Sequence, residues 1–142
     1  SERVRNMSDI SALRSQQYYK IQQKNQCQSR INDIDRKLER LKTAKRELTS
    51  DKSNAKTKKK DGDSFPDQLT RWEGDKHNTY ISNTDQLSGY MDSYYKAVDN
   101  ALDAVCDAIT SLENERSSQY GLLGSLVSAI NSIGNEIEKL LN

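Results

Sequence analysis

The chain has 142 residues, one domain's worth. Hydrophobic residues make up 33% and charged residues 30%, too lean for a thick globular core but suited to long helices that need one apolar stripe. The 22 basic and 21 acidic residues are intermixed and leave a net charge of +1, so the one-sided surplus expected of a nucleic-acid binder is missing.

One Pro, six Gly and no alternating β-branched runs argue against strands. Residues 1–30 are polar and carry Asp9, Arg14 and Lys20 without an apolar core region, so nothing there reads as a classical signal peptide. No apolar run approaches the ~20 residues needed to span a bilayer, and no stable membrane insertion is expected. The first predicted element is a helix over about 8–57. Cys27, Ile31, Ile34, Leu38, Leu41, Lys45 and Leu48 follow heptad spacing, six of the seven apolar. Ile10, Leu13, Tyr18 and Ile21 continue an apolar face upstream, with a slip of phase.

A connection follows over about 58–74. Lys58-Lys59-Lys60-Asp61-Gly62-Asp63-Ser64-Phe65-Pro66 has turn chemistry and no periodicity, and Pro66 could open a short helical turn. The lone tryptophan stands at its far end, in Trp72-Glu73-Gly74. Gly74 permits a backbone conformation that other residues resist, and Asp75 suits the cap of the next helix.

That second helix is expected over about 75–141. From Met91 and Tyr95 to Ile137 and Leu140, fifteen positions keep unbroken 4-3 spacing and thirteen are apolar, with only Arg116 and Gln119 dissenting. Chance would supply about five at this composition. The fold class is therefore all-α: an antiparallel two-helix hairpin, coiled-coil-like, in a single domain.

Doubling the chain at the connection suggests a register. One choice sets Ile10 against Leu123, Leu13 against Tyr120, Ile21 against Leu112, Ile31 against Leu102, Leu38 against Tyr95 and Cys27 against Cys106. It also pairs the polar dissenters, Gln17 with Arg116 and Arg14 with Gln119. Heptads define such a register only modulo seven, and the coincidence of cysteines and polar positions favours this one. Helix two then outruns helix one by about fifteen to twenty residues, about 25 Å at ~1.5 Å per residue. The overhang carries Leu126, Val127, Ile130, Ile133, Ile137, Leu140 and Leu141, an uncovered stripe of the kind that marks a partner interface. Either helix two breaks near Gly121 and Gly124 and folds back, or another chain covers the stripe.

Two helices joined at Trp72-x-Gly74, with Tyr80 eight residues after the Trp, resemble the WXG superfamily of small helical hairpins. Tyr18-Tyr19-Lys20-Ile21-Gln22-Gln23-Lys24, the run through Ile31, Ile34, Leu38 and Leu41-Lys42-Thr43-Ala44, and Val98-Asp99-Asn100-Ala101-Leu102-Asp103-Ala104 further resemble its YwqH-like branch. The resemblance implies an accessory protein of a Gram-positive type VII secretion system. Its partner would be the helical N-terminal LXG domain of a polymorphic toxin, joined in some assemblies by a second small helical protein. It implies a location in the bacterial cytoplasm, with export, where it occurs, through the type VII machinery. A self-associating coiled coil, two copies covering each other's tails, is the rival reading.

Other features have plainer readings. Tyr95-Lys96-Ala97-Val98-Asp99 matches the Tyr-x-x-x-acidic pattern associated with type VII export, but about one match is expected by chance and Tyr95 also reads as a seam residue. Cys27 and Cys106 could form a disulfide, yet read more simply as small buried fillers. His77, the single histidine, has no second ligand or nucleophile beside it and reads as a surface residue. Lys56 and Lys58 to Lys60 form one basic cluster, diluted at once by Asp61 and Asp63. Gly121, Gly124 and Gly134 suggest close helix approach or a bend. No phosphate loop, catalytic triad, metal-ligand set or cofactor motif is present, and a helical hairpin has no dry concave pocket, so no enzymatic activity is expected.

Overall fold

A computed structural model describes the backbone of residues 2–68 and 75–142, and side chains at 2–57 and 82–142. Two helices account for it: α1, Glu2–Gln68, and α2, Asp75–Leu141. Each is 67 residues long, and together they form the expected antiparallel hairpin.

Helix α1 is longer at both ends than the sequence pattern indicates. No Gly or Pro precedes Gly62, and Glu2 in the first turn favours the positive end of the helix dipole. Residues 58–68, whose composition suggested a loop, are helical too. The lysines there are good helix formers and Gly62 costs only about 1 kcal/mol against Ala, while Pro66, which cannot donate to the preceding turn, falls close to where the helix ends. Helix α2 continues unbroken through Gly121, Gly124 and Gly134. At its end the Asn142 amide donates to the Glu138 carbonyl at 3.1 Å, and Lys139 lies in the last turn, where a cation complements the dipole.

The chain divides into two compact units. The first comprises Ser1–Glu39 and Ser111–Asn142. Its contacts descend along α2 as they climb α1, as antiparallel packing requires. The Gln17 amide donates to the Ile130 carbonyl at 3.3 Å, Cys27 Sγ donates to the Gln119 carbonyl at 3.1 Å, and Arg116 Nε donates to Asp35 at 2.6 Å. Cys27 and Ile31, 1% and 0% exposed, form a cluster with buried Leu126 and half-buried Leu123. Ile10, Ile34, Leu38 and Ile137 are buried too. Each Leu or Ile taken out of water contributes roughly 1.5–3 kcal/mol.

These contacts correct the expected register. Gln17 lies against Ile130 rather than Arg116, two heptads further along α2, and Cys27 lies against Gln119 rather than Cys106. Ile31 shares its cluster with Leu126 rather than Leu102, and Arg116 reaches Asp35 rather than Gln17. The shift follows from periodicity: sliding by whole heptads returns the same apolar positions to the seam, so pattern alone does not choose among slipped pairings.

The second unit is Arg40–Thr110. Among its described residues Ala55, Val98 and Ile109 are the buried apolar ones, and Thr84 is buried as well. Lys52 Nζ meets Asp99 at 2.5 Å and stands 5.8 Å from the centre of the Tyr95 ring. Each of these two contacts joins α1 to α2 within the unit.

Candidate protein-interaction site

The tail stripe does not overhang. Within the first unit the end of α2 runs beside the start of α1, and Leu141 borders the same groove as Met7 and Ile10. Leu126 and Ile137, 5% and 8% exposed, are interior residues of the hairpin, and Ile130, Ile133 and Leu140 are half-covered. Only Val127 and Leu141, at 39% and 59%, remain open. The tail therefore splits: one edge closes the chain's own seam, and the other faces water. The helix ends are the physical reason, because two helices of equal length leave no surplus.

A groove stays open where the start of α1 meets the end of α2. Met7, Ile10, Ser11, Arg14, Ser15 and Tyr18 recur at 3-1-3-1-3 spacing on α1 and, with Leu141, line a groove of ≈ 570 Å³. Met7 and Tyr18 are about two-thirds exposed, at 65% and 66%. Arg14 and the two serines supply polar contacts along an otherwise apolar wall. The sequence reading treated Tyr18 as a seam residue and Arg14 as half of a polar layer; Ile10, 8% exposed, is buried as that reading expected. The signal for a groove was present in the phase slip upstream of Cys27, where a second apolar line departs from the heptad.

Polar groups in the seam are mostly matched. The single thiol proton of Cys27 is shared between the Gln119 backbone carbonyl and Gln119 Oε1, the latter at 3.2 Å, and Cys27 and Cys106 are both free. Gln119 occupies the place across from Cys27 that the proposed disulfide required for Cys106. Gln23 Oε1 is buried with no hydrogen-bond partner. Gly134 fits the close-approach reading, since a Cβ there would come within 3.3 Å of Gln17 Nε2, whereas Gly121 and Gly124 face open space. Arg116 holds its proton more tightly than an ordinary arginine, chiefly through the hydrogen bond to Asp35. It also packs on Tyr120, with the guanidinium 4.8 Å from the ring centre.

The Tyr95/Asp99 pair lies mid-helix in the second unit, Tyr95 half-buried in the seam. A single lysine, Lys52, contacts both members. Its pKa is raised, first by the hydrogen bond to Asp99 and then, against the opposing cost of burial, by the charges of Asp99, Tyr95 and Asp103. Trp72 and Gly74 of the elbow lie outside the described residues, and Tyr80 belongs to α2 with its side chain likewise outside them. Among the described residues no group of His, Cys, Asp and Glu could hold a metal ion, and no helix is long and apolar enough to cross a membrane.

Comparison with known families supplies the remaining observation: the YwqH-like family model matches residues 6–135. The chain belongs to the YwqH-like family. That places it in the branch of WXG/LXG-associated proteins that its own motifs resemble, among small, all-helical, secretion-associated proteins. No curated protein and no solved structure matches the chain. The family match takes in most of the α1 groove and the whole elbow, and stops short of Ile137, Leu140 and Leu141.

Proposed function

We propose that the protein is an escort for a toxin secreted by a Gram-positive type VII system, binding the toxin's helical LXG domain and presenting it for export. The match to the YwqH-like family over residues 6–135 carries this reading. The groove along Met7, Ile10, Arg14 and Tyr18 supports it, because its mixed apolar and polar lining suits one amphipathic helix from a partner. Such a helix would cover apolar surface worth roughly 25 cal/mol per Å2, with Arg14 and the serines fixing its orientation. Val127 and Leu141 extend the partner surface on α2, while Leu126 and Ile137 act within the hairpin. The mechanism is association, and no bond is made or broken.

The test is co-expression with the helical domain of a toxin encoded beside this gene, read by size-exclusion chromatography. A stable complex is expected, lost or strongly weakened by Met7→Asp with Tyr18→Asp, both exposed positions where a charge leaves the hairpin intact. A complex indifferent to that double change would refute the groove. A homodimer that ignores the toxin domain would favour self-association instead.

A further inference from the structure

The second unit carries a smaller depression that neither the family nor the seam explains. Asp51, Asn54 and Ala55 on α1 and Tyr90, Met91 and Tyr94 on α2 enclose a cup of ≈ 350 Å³. Its floor is Ala55, 4% exposed, whose short side chain leaves space that a longer one would fill. Tyr90 and Tyr94 stand one helical turn apart on the same face and are 72% and 54% exposed. Two large rings held open to water beside a small-residue floor bury little of their own apolar area.

The chemistry of the cup is one-signed. Among the described residues Asp51 is its only charged lining group, and no cation there pairs with that carboxylate. Lys52, next to Asp51 in sequence, and Lys96, two residues after Tyr94, are paired elsewhere, with Asp99 and Asp92, and Lys56 does not line the cup. Phenol rings present a negative face, and Met91 adds a polarisable thioether. A carboxylate, two aromatic faces and a thioether around one cavity favour an organic cation and disfavour an anion or a neutral alkyl group.

We infer that this cup receives a basic side chain, an arginine or lysine, projecting from a protein partner. Arginine fits better than lysine, because its flat guanidinium stacks on a tyrosine ring while still reaching Asp51. That the partner is a helical protein rests on the proposed escort role; the preference for a cation does not. The cup would then set the partner's position by one charge-matched anchor, apart from the apolar groove of the first unit.

The cation preference is tested on the full chain alone, by NMR titration with N-acetyl-arginine methylamide against the neutral isostere N-acetyl-citrulline methylamide. Saturable shifts at Tyr90 and Tyr94 are expected with the arginine compound and not with the citrulline one. Asp51→Asn and Tyr94→Leu should each weaken binding about two- to fivefold, the loss of one exposed cation–aromatic or ion contact. Equal response to both compounds, or binding unchanged in both variants, overturns the cup. The use of the cup by a partner is tested in the co-expressed complex with Asp51→Lys, which should loosen it at least tenfold. A complex of undiminished affinity would overturn the anchoring role while leaving the escort reading standing, since that reading depends on the complex forming at all.

Discussion

Ile31 and Leu126 test the buried cluster of the first unit most directly. Ile31 is fully buried and Leu126 is 5% exposed, and both belong to one cluster with Cys27. Truncating either to Ala removes a whole branched side chain from a site walled by two rigid helices. The surroundings have little room to collapse, so each should cost about 2–4 kcal/mol. Because both belong to one cluster, bridged by Cys27 and Leu123, the double variant should cost less than the sum, with a coupling of about 0.5–3 kcal/mol. Urea unfolding followed by circular dichroism measures all four free energies, provided the slopes agree. The control is Ile31→Ala with Leu102→Ala, the pair that the sequence-based register sets face to face. Additivity for Ile31 with Leu126, and coupling for Ile31 with Leu102, would refute the observed packing.

Two further outcomes follow from single positions. Gly121 and Gly124 face open space in an unbroken helix, so Gly121→Ala and Gly124→Ala should each stabilise the protein by about 0.5–1 kcal/mol, whereas Gly134→Ala should gain less because its Cβ meets Gln17 Nε2 at 3.3 Å. Thermal unfolding of the three variants ranks them, and Gly134→Ala ranking first would contradict the close approach. Lys52 has a folded pKa above its ordinary 10.5, so its contribution is complete below that pH and is lost as pH rises through the folded value. The stability difference between the native chain and Lys52→Met should therefore stay level from neutrality to about pH 10 and shrink above it. A difference that changes near neutral pH would show that Asp99 is not its governing partner.

Much of this molecule is legible without coordinates. The 4-3 spacing from Met91 to Leu140 and from Cys27 to Leu48 requires two helices with one apolar seam each, and the break in that spacing between them suits a reversal. The motifs around Tyr18 to Ala44 and the Trp72-x-Gly74 elbow point to the family that the comparison shows. Less legible were the places where pattern competes with geometry. Residues 58–68 have the composition of a loop, yet no turn is forced on them and helix persists to Gln68. Tyr90 and Tyr94 sit one position off the seam line, so heptad counting passes over them, and their cup exists only because Ala55 lies opposite.

The sequence by itself determined which residues enter the seam, because periodicity is a local property of a 3.6-residue turn. Only the tertiary structure decided which of them meet. Slipping one helix by about two heptads leaves the pattern nearly unchanged, and that slip moves Cys27 from the neighbourhood of Cys106 to that of Gln119 and brings the tail of α2 alongside the head of α1. The choice belongs to packing: small differences in side-chain fit, the thiol donating to Gln119 and the Asp35–Arg116 pair among them, select one pairing from a set that the repeat makes nearly equivalent.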